Sequence, residues 1–91
     1  MHITITRSGG VAGLIMTKLL DTASLSSKKA RFLDKIISSC NFFSMDETGT
    51  QKNNRDHFIY RIVIEDNEKM HSIMRDEREL GKLKKLVKEV F

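Results

Sequence analysis

The chain has 91 residues and a single cysteine, so we expect one domain over residues 1–91 with no internal disulfide. A hydrophobic share of 40% with a charged share of 31% is typical of a folded globular protein and excludes a disordered one. The formal net charge of +4 allows an acidic partner but does not by itself indicate nucleic-acid binding.

The first predicted element is a half-buried strand over His2–Thr6, where isoleucines alternate with polar residues. The glycine-rich segment Arg7–Leu14 follows and contains three of the five glycines of the chain. Apolar residues over Leu14–Leu20 predict a second strand, so that the two strands form a hairpin with the glycine-rich segment at its tip. Two inward faces of the second strand fit the pattern: Leu14, Met16 and Leu20, or Ile15, Thr17 and Leu19.

The middle of the chain predicts one helix and one polar loop. Apolar residues recur at intervals of three and four over Ser27–Cys40, which indicates a helix, and Ser26 is its expected N-cap. The apolar side chains just after the helix are expected to fold back beneath the sheet: Phe42, Phe43 and Met45. Asp46–Arg55 is the most polar stretch and is predicted to be a mobile surface loop.

The last third repeats the order of strand, strand and helix. His57–Glu65 has the clearest alternation of the chain, and a turn separates it from a weaker strand over Lys69–Arg75. Asp76 and Glu79 match a capping box that would begin the final helix. The apolar stripe of that helix is Leu80, Leu83, Leu86, Val87 and Val90. The sequence therefore predicts an α+β fold, ββαββα, with a four-stranded antiparallel sheet and two helices on one face.

Catalytic and metal-binding patterns are not found. His2, His57 and His71 do not have the spacing of a metal site, and Cys40 lies on the apolar stripe of a predicted helix. We therefore expect no enzyme activity, no catalytic residue, no metal and no cofactor. The lysines of the last helix are typical of a solvated face, and the stacked aromatics of an RNA-binding sheet are absent, so nucleic-acid binding is disfavoured.

The glycine-rich segment has three possible roles, which are a tight turn, an anion cradle or a thin finger that enters a groove. It does not match a phosphate-binding loop, because the Walker pattern ends in G-K-[ST] and a dinucleotide fingerprint leads from a strand into a helix. A tight turn remains open, although a two-residue hairpin needs only one or two glycines and this segment has three.

Several motifs, in this order, resemble one known family: R-S-G-G-V-A-G, L-D-T-A-S-L, N-F-F-S-M, H-F-I-Y-R-I-V-I-E-D-N and H-S-I. The chain resembles the emfourin-like proteins, which are small inhibitors of thermolysin-like (M4) metalloproteases. The resemblance spans nearly the whole chain and implies a competitive inhibitor that occludes the active-site cleft of a zinc endopeptidase and holds no metal itself.

The loop chemistry leads us to expect that the glycine-rich segment contacts the partner. Val11 and Leu14 are expected to fill specificity pockets, and Arg7 to pair with acidic groups near the cleft. The predicted partner-binding residues are Arg7, Ser8, Gly9, Gly10, Val11, Ala12, Gly13 and Leu14.

Two other functions remain open from the sequence. The chain is alternatively a small interaction module that binds through its open sheet face or an unpaired edge, or, with less support, a nucleic-acid-binding domain. A signal peptide and an apolar run of about 20 residues are both lacking, so a cytoplasmic location without a membrane partner is expected. The target protease and the oligomeric state are not predicted.

Overall fold

Four strands pair in one antiparallel sheet: β1 (His2–Gly9), β2 (Met16–Asp21), β3 (Phe58–Asp66) and β4 (Lys69–Asp76). Their order across the sheet is β2-β1-β3-β4. The α-helices are α1 (Ser27–Ser39) and α2 (Leu83–Val90). The computed structural model describes residues 1–10, 13–49 and 57–91. Within these ranges no helix combines the length and apolar character needed to cross a membrane.

The core lies between one face of the sheet and the two helices, which confirms the predicted α+β fold. Alternate residues of the strands point into it, as their two-residue period requires. The strands contribute Ile3, Ile5, Tyr60, Ile62, Ile64 and Ile73. The helices contribute Leu33, Ile36, Ile37, Leu83, Leu86 and Val87 to the same buried cluster. Since both helices share this cluster with one set of strand residues, both cover the same face of the sheet.

The pairing of β1 with β2 decides which side of β2 faces inward. Ile3 pairs with Leu20 and Arg7 pairs with Met16, so Leu20 and Met16 lie on the core side of the sheet. This is the first of the two predicted faces. The predicted start of the strand at Leu14 is wrong, because the pairing with β1 begins only at Met16 and Leu14 is exposed.

The segment between α1 and β3 is more tightly held than its composition indicates. Phe42 is buried, which confirms that the apolar residues after α1 fold beneath the sheet. The described part of the predicted polar loop, residues 46–49, lies along β4, where the Glu47 carbonyl accepts a hydrogen bond from the Met74 amide at 2.7 Å. Thr48 forms a bridge with the same Met74. The rest of the predicted loop, residues 50–55, lies outside the described residues.

The predicted start of the final helix at Asp76 is wrong. Asp76 instead caps a 3-10 turn over Glu77–Glu79, where its side chain accepts a hydrogen bond from the Arg78 amide at 2.9 Å. Gly81 has a φ of +55°, which is outside the helical region, so the regular helix begins only at Leu83. The apolar stripe is nevertheless placed as predicted, because both Leu80 and Leu83 are buried.

Leu83→Ala is expected to lower the free energy of unfolding by about 2–5 kcal/mol, because Leu83 is 1% exposed and its loss leaves a cavity among the core side chains. Urea denaturation followed by circular dichroism measures the change. Lys84→Ala, at an exposed position of the same helix, is the matched control. A loss of less than about 0.5 kcal/mol for Leu83→Ala, as at a surface position, would contradict the placement of α2.

Candidate functional site

The glycine-rich segment begins inside the sheet. On one side β1 pairs with β2 only as far as Arg7, which lies opposite Met16. On the other side the pairing with β3 continues through Ser8 to Gly9, which lies opposite Phe58. The end of β1 therefore extends past its β2 partner while β3 still supports it.

Three glycines of the segment adopt left-handed backbone conformations, with φ of +89° at Gly9, +74° at Gly10 and +65° at Gly13. Side chains other than glycine are strained in this region. Space is also restricted, since a Cβ on Gly9 would lie 2.7 Å from the His57 carbonyl oxygen and one on Gly10 would lie 2.6 Å from the Phe58 ring. These backbone angles explain why the segment has more glycines than a two-residue turn needs.

Backbone hydrogen bonds hold the described ends of the segment in place. The Gly10 amide donates to the His57 carbonyl at 3.1 Å, which continues the contact between β1 and β3 by one residue. The Gly13 amide donates to the Gly10 carbonyl at 3.2 Å. The two sides of the segment are thus tied to each other as well as to the sheet.

Arg7 packs against aromatic rings of its own chain. Its guanidinium carbon lies 4.6 Å from the ring centre of Phe58 and 5.0 Å from that of Phe91. Its Nη2 also donates a hydrogen bond to the sulfur of Met16 at 3.1 Å. Cations are attracted to aromatic faces at these distances. Arg7 therefore braces the base of the segment against β2, β3 and the end of α2.

An ion pair between the half-exposed Arg78 and the buried Asp76 supports the other side of this base. The side chain of Asp76 is 1% exposed and accepts hydrogen bonds from Arg78 Nε at 2.8 Å and Nη2 at 2.9 Å. These bonds hold the pKa of the Asp76 carboxyl well below its usual range and raise the pKa of Arg78. The buried Nδ1 of His57 lies 3.8 Å from Asp76 Oδ2 and has no hydrogen-bond partner among the described residues. Because the His57 carbonyl holds Gly10, the ion pair adjoins the backbone that supports the segment.

Exposed apolar side chains follow the segment directly. Leu14 is 68% exposed and Ile15 is 72% exposed, and Met16 and Leu19 of β2 are exposed as well. Only two other large apolar side chains are exposed among the described residues, Phe32 and Met70. Exposed apolar side chains therefore form a surface at the hairpin tip and continue onto the edge strand β2, where Met16 and Leu19 lie on opposite faces of the sheet.

The structure brings most of the predicted site residues to one end of the sheet. Arg7, Ser8 and Gly9 belong to β1, and Gly10, Gly13 and Leu14 follow at the tip of the hairpin. Val11 and Ala12, which were predicted to belong to the site, lie outside the described residues.

Ile15 and Leu19 are exposed beside the segment but were not among the predicted site residues. The sequence did carry a sign of this exposure. Apolar residues occur at both odd and even positions of the predicted second strand, so some of these side chains must lie on the face away from the core.

The residues with metal-binding or nucleophilic chemistry are dispersed. Within the described part of the chain, no group of three or more histidines, cysteines or acids is placed to hold a metal ion. His71 Nε2 instead lies 2.7 Å from the Met45 carbonyl oxygen. Cys40 is half-buried, and burial raises the pKa of its thiol, which lowers its reactivity at neutral pH.

Comparison with known proteins gives one family match. A family model described as Emfourin matches residues 5–90. This range begins within β1 and ends with α2, so it includes most of β1, the other three strands, both helices and the glycine-rich segment. No curated protein and no solved structure matches the chain.

Gly10→Ala is expected to destabilise the protein more than Gly13→Ala. The left-handed conformation alone costs a non-glycine residue about 1–2 kcal/mol. A Cβ on Gly10 would in addition clash with Phe58, whereas a Cβ on Gly13 meets no atom of the described residues within 4 Å. Thermal denaturation of both variants measures the difference, and Gly13→Ala is the matched control for backbone strain. Equal losses would contradict the close approach of Phe58.

Asp76→Asn is expected to lower the free energy of unfolding at neutral pH. The difference in this free energy between the variant and the unchanged protein is expected to shrink on acidification. The folded pKa of Asp76 lies below the unfolded value of about 3.9, so the ionised carboxyl stabilises the fold above that pH. This contribution is lost progressively as the pH falls below about 4 toward the folded pKa. Urea titrations between neutral and acidic pH measure it, and a difference that grows on acidification would contradict the ion pair.

Proposed function

Because the chain belongs to the Emfourin family, which is a family of protease inhibitors, we propose that it inhibits a thermolysin-like (M4) zinc metalloprotease by occupying the active-site cleft. The family provides the inhibitor role and a protease as partner. We further propose that the target is a protease of the M4 class and that the hairpin enters its active-site cleft. The zinc in the complex belongs to the protease. A cytoplasmic location stays a prediction from the sequence.

The observation that carries the binding mode is the apolar surface beside the glycine-rich segment. Leu14 and Ile15 project at the hairpin tip, where folding leaves them largely exposed to water. Exposed apolar groups that cluster at one place are typical of interaction sites. Burial of these two side chains in pockets of the protease would supply the central apolar contact that protein interfaces depend on.

The way the segment is held favours tight binding. Gly9 and Gly10 are fixed by β3, and Arg7 is held between two rings. A binding segment that is already ordered loses little conformational entropy when it enters a cleft. Arg7 therefore acts in this proposal as a positioning residue, and the predicted contact with acidic groups of the cleft is not needed.

The free edge of β2 offers a second kind of contact. Among the described residues no strand pairs with the outer side of β2. An extended segment at the rim of a cleft can add to such an edge through backbone hydrogen bonds. Since Met16 and Leu19 are exposed on the same strand, backbone pairing and apolar contacts would occur together.

Purified protein is expected to inhibit thermolysin competitively, so that the apparent KM for a peptide substrate rises while kcat stays constant. Leu14→Asp and Ile15→Asp are each expected to weaken inhibition at least about tenfold, which corresponds to about 1.4 kcal/mol. Met70→Asp is the matched control, because Met70 is 69% exposed on β4, at the opposite edge of the sheet.

Two results would contradict the proposal. One is the absence of inhibition of any thermolysin-like protease at micromolar concentrations by protein whose circular dichroism shows the intact fold. The other is an equal loss of inhibition for Met70→Asp and for the two hairpin variants, which would remove the hairpin from the interface while leaving the inhibitor role in place.

A further inference from the structure

The positive charge of the protein is concentrated in its helices. Together with Lys82, which precedes α2, the two helices hold eight of the 16 lysines and arginines and only two of the 12 acidic residues, Asp34 and Glu89. These elements are thus more strongly positive than the chain as a whole, whose net charge is +4. The rest of the chain has a slight excess of acidic residues.

An open groove lies where the two helices meet on this basic layer. Its volume is about 330 Å³, which is at the lower end of the range for ligand sites. The lining residues are Phe32, Lys35, Ile36, Ser39, Lys82 and Lys85. Phe32 is 44% exposed, whereas Ile36 is buried beneath it in the core. The groove therefore combines an apolar floor with three lysines.

Helical spacing explains why these residues meet. Phe32, Lys35 and Ser39 are three and four residues apart, so they lie on one flank of α1. Lys82 and Lys85 occupy the facing flank at the start of α2, and Lys82 Nζ reaches the Ser39 carbonyl oxygen at 3.5 Å. Lys84 and Lys88 are four residues apart on α2, and neither of them lines the groove.

We propose that this groove binds an acidic amphipathic peptide segment of a partner protein. One large apolar side chain of the segment packs on Phe32 and Ile36, and its carboxylates pair with Lys35, Lys82 and Lys85. Apolar helix faces commonly dock in grooves of this kind, and complementary charge orients them. The phosphate groups of a DNA duplex would pair with the lysines, but its bases are already stacked on one another and would leave the exposed ring of Phe32 without an apolar partner.

The groove is separate from the hairpin tip. Arg7, at the base of the glycine-rich segment, contacts Phe91, which follows the last residue of α2. The groove lies at the other end of α2, beside Lys82. With a rise of about 1.5 Å per residue, the two ends are about 13 Å apart along the helix. The groove and the hairpin tip therefore share no residue.

Fluorescence anisotropy with a labelled 12-residue peptide of glutamates, alanines and one phenylalanine tests the proposal. We expect saturable binding that weakens with salt. Lys35→Glu/Lys85→Glu is expected to weaken binding at least about tenfold, and Phe32→Ala several-fold. Lys84→Glu/Lys88→Glu changes the net charge equally at two lysines that do not line the groove, so it is the matched control and is expected to have an effect of less than about threefold.

Four results would overturn the proposal. The first is no binding at low salt by folded protein, and the second is equal weakening by both double variants, which would indicate diffuse charge attraction. The third is equally tight binding of the peptide with alanine in place of phenylalanine, and the fourth is tighter binding of a DNA duplex or of phosphatidylserine vesicles. Inhibition of thermolysin by Lys35→Glu/Lys85→Glu, measured in parallel, is expected to be unchanged. The groove and the inhibitor role can therefore fail independently.

Discussion

The pairing of β1 with β3 beyond the end of β2 is the constraint on which the hairpin end of the molecule depends. Because Gly9 lies opposite Phe58, the ring of Phe58 comes beside Gly10 and beneath the guanidinium of Arg7. The same pairing brings the His57 carbonyl to the Gly10 amide. A single extended ladder thus orders the start of the segment as far as Gly10, where the glycines alone would leave the backbone free to move.

The fold separates two surfaces of different chemistry. The hairpin tip and β2 expose apolar side chains, whereas the helix layer exposes lysines around the groove beside Phe32. Helix α2 connects the two surfaces, because Phe91, which follows its last residue, contacts Arg7 at the base of the glycine-rich segment. The single figure of +4 for the net charge conceals this division, because the helices and the rest of the chain have opposite excesses of charge.

Local patterns predicted the elements well, but contacts between distant residues decided the site. Alternation placed β3 and its buried residues, and the spacing of apolar residues placed α1. The extension of β1 through Gly9 could not be predicted, because its cause is pairing with a strand about fifty residues later. The start of α2 was misplaced because the apolar spacing of a helix already begins at Leu80, whereas the left-handed backbone of Gly81 delays the helix itself to Leu83. At the site, the glycine-rich segment could be recognised from the sequence. The exposure of Ile15 could not, because it depends on the pairing of β1 with β2, which ends at Met16.

The bridge between Thr48 and Met74 makes the two borders of the sheet unequal. At β4 the incoming chain already occupies part of the border, whereas within the described residues the outer side of β2 has no strand beside it. A molecule with two open borders can add copies of itself without limit, as in a fibre. Self-association through the β2 border alone would stop at a symmetric pair, because each copy has only one such border.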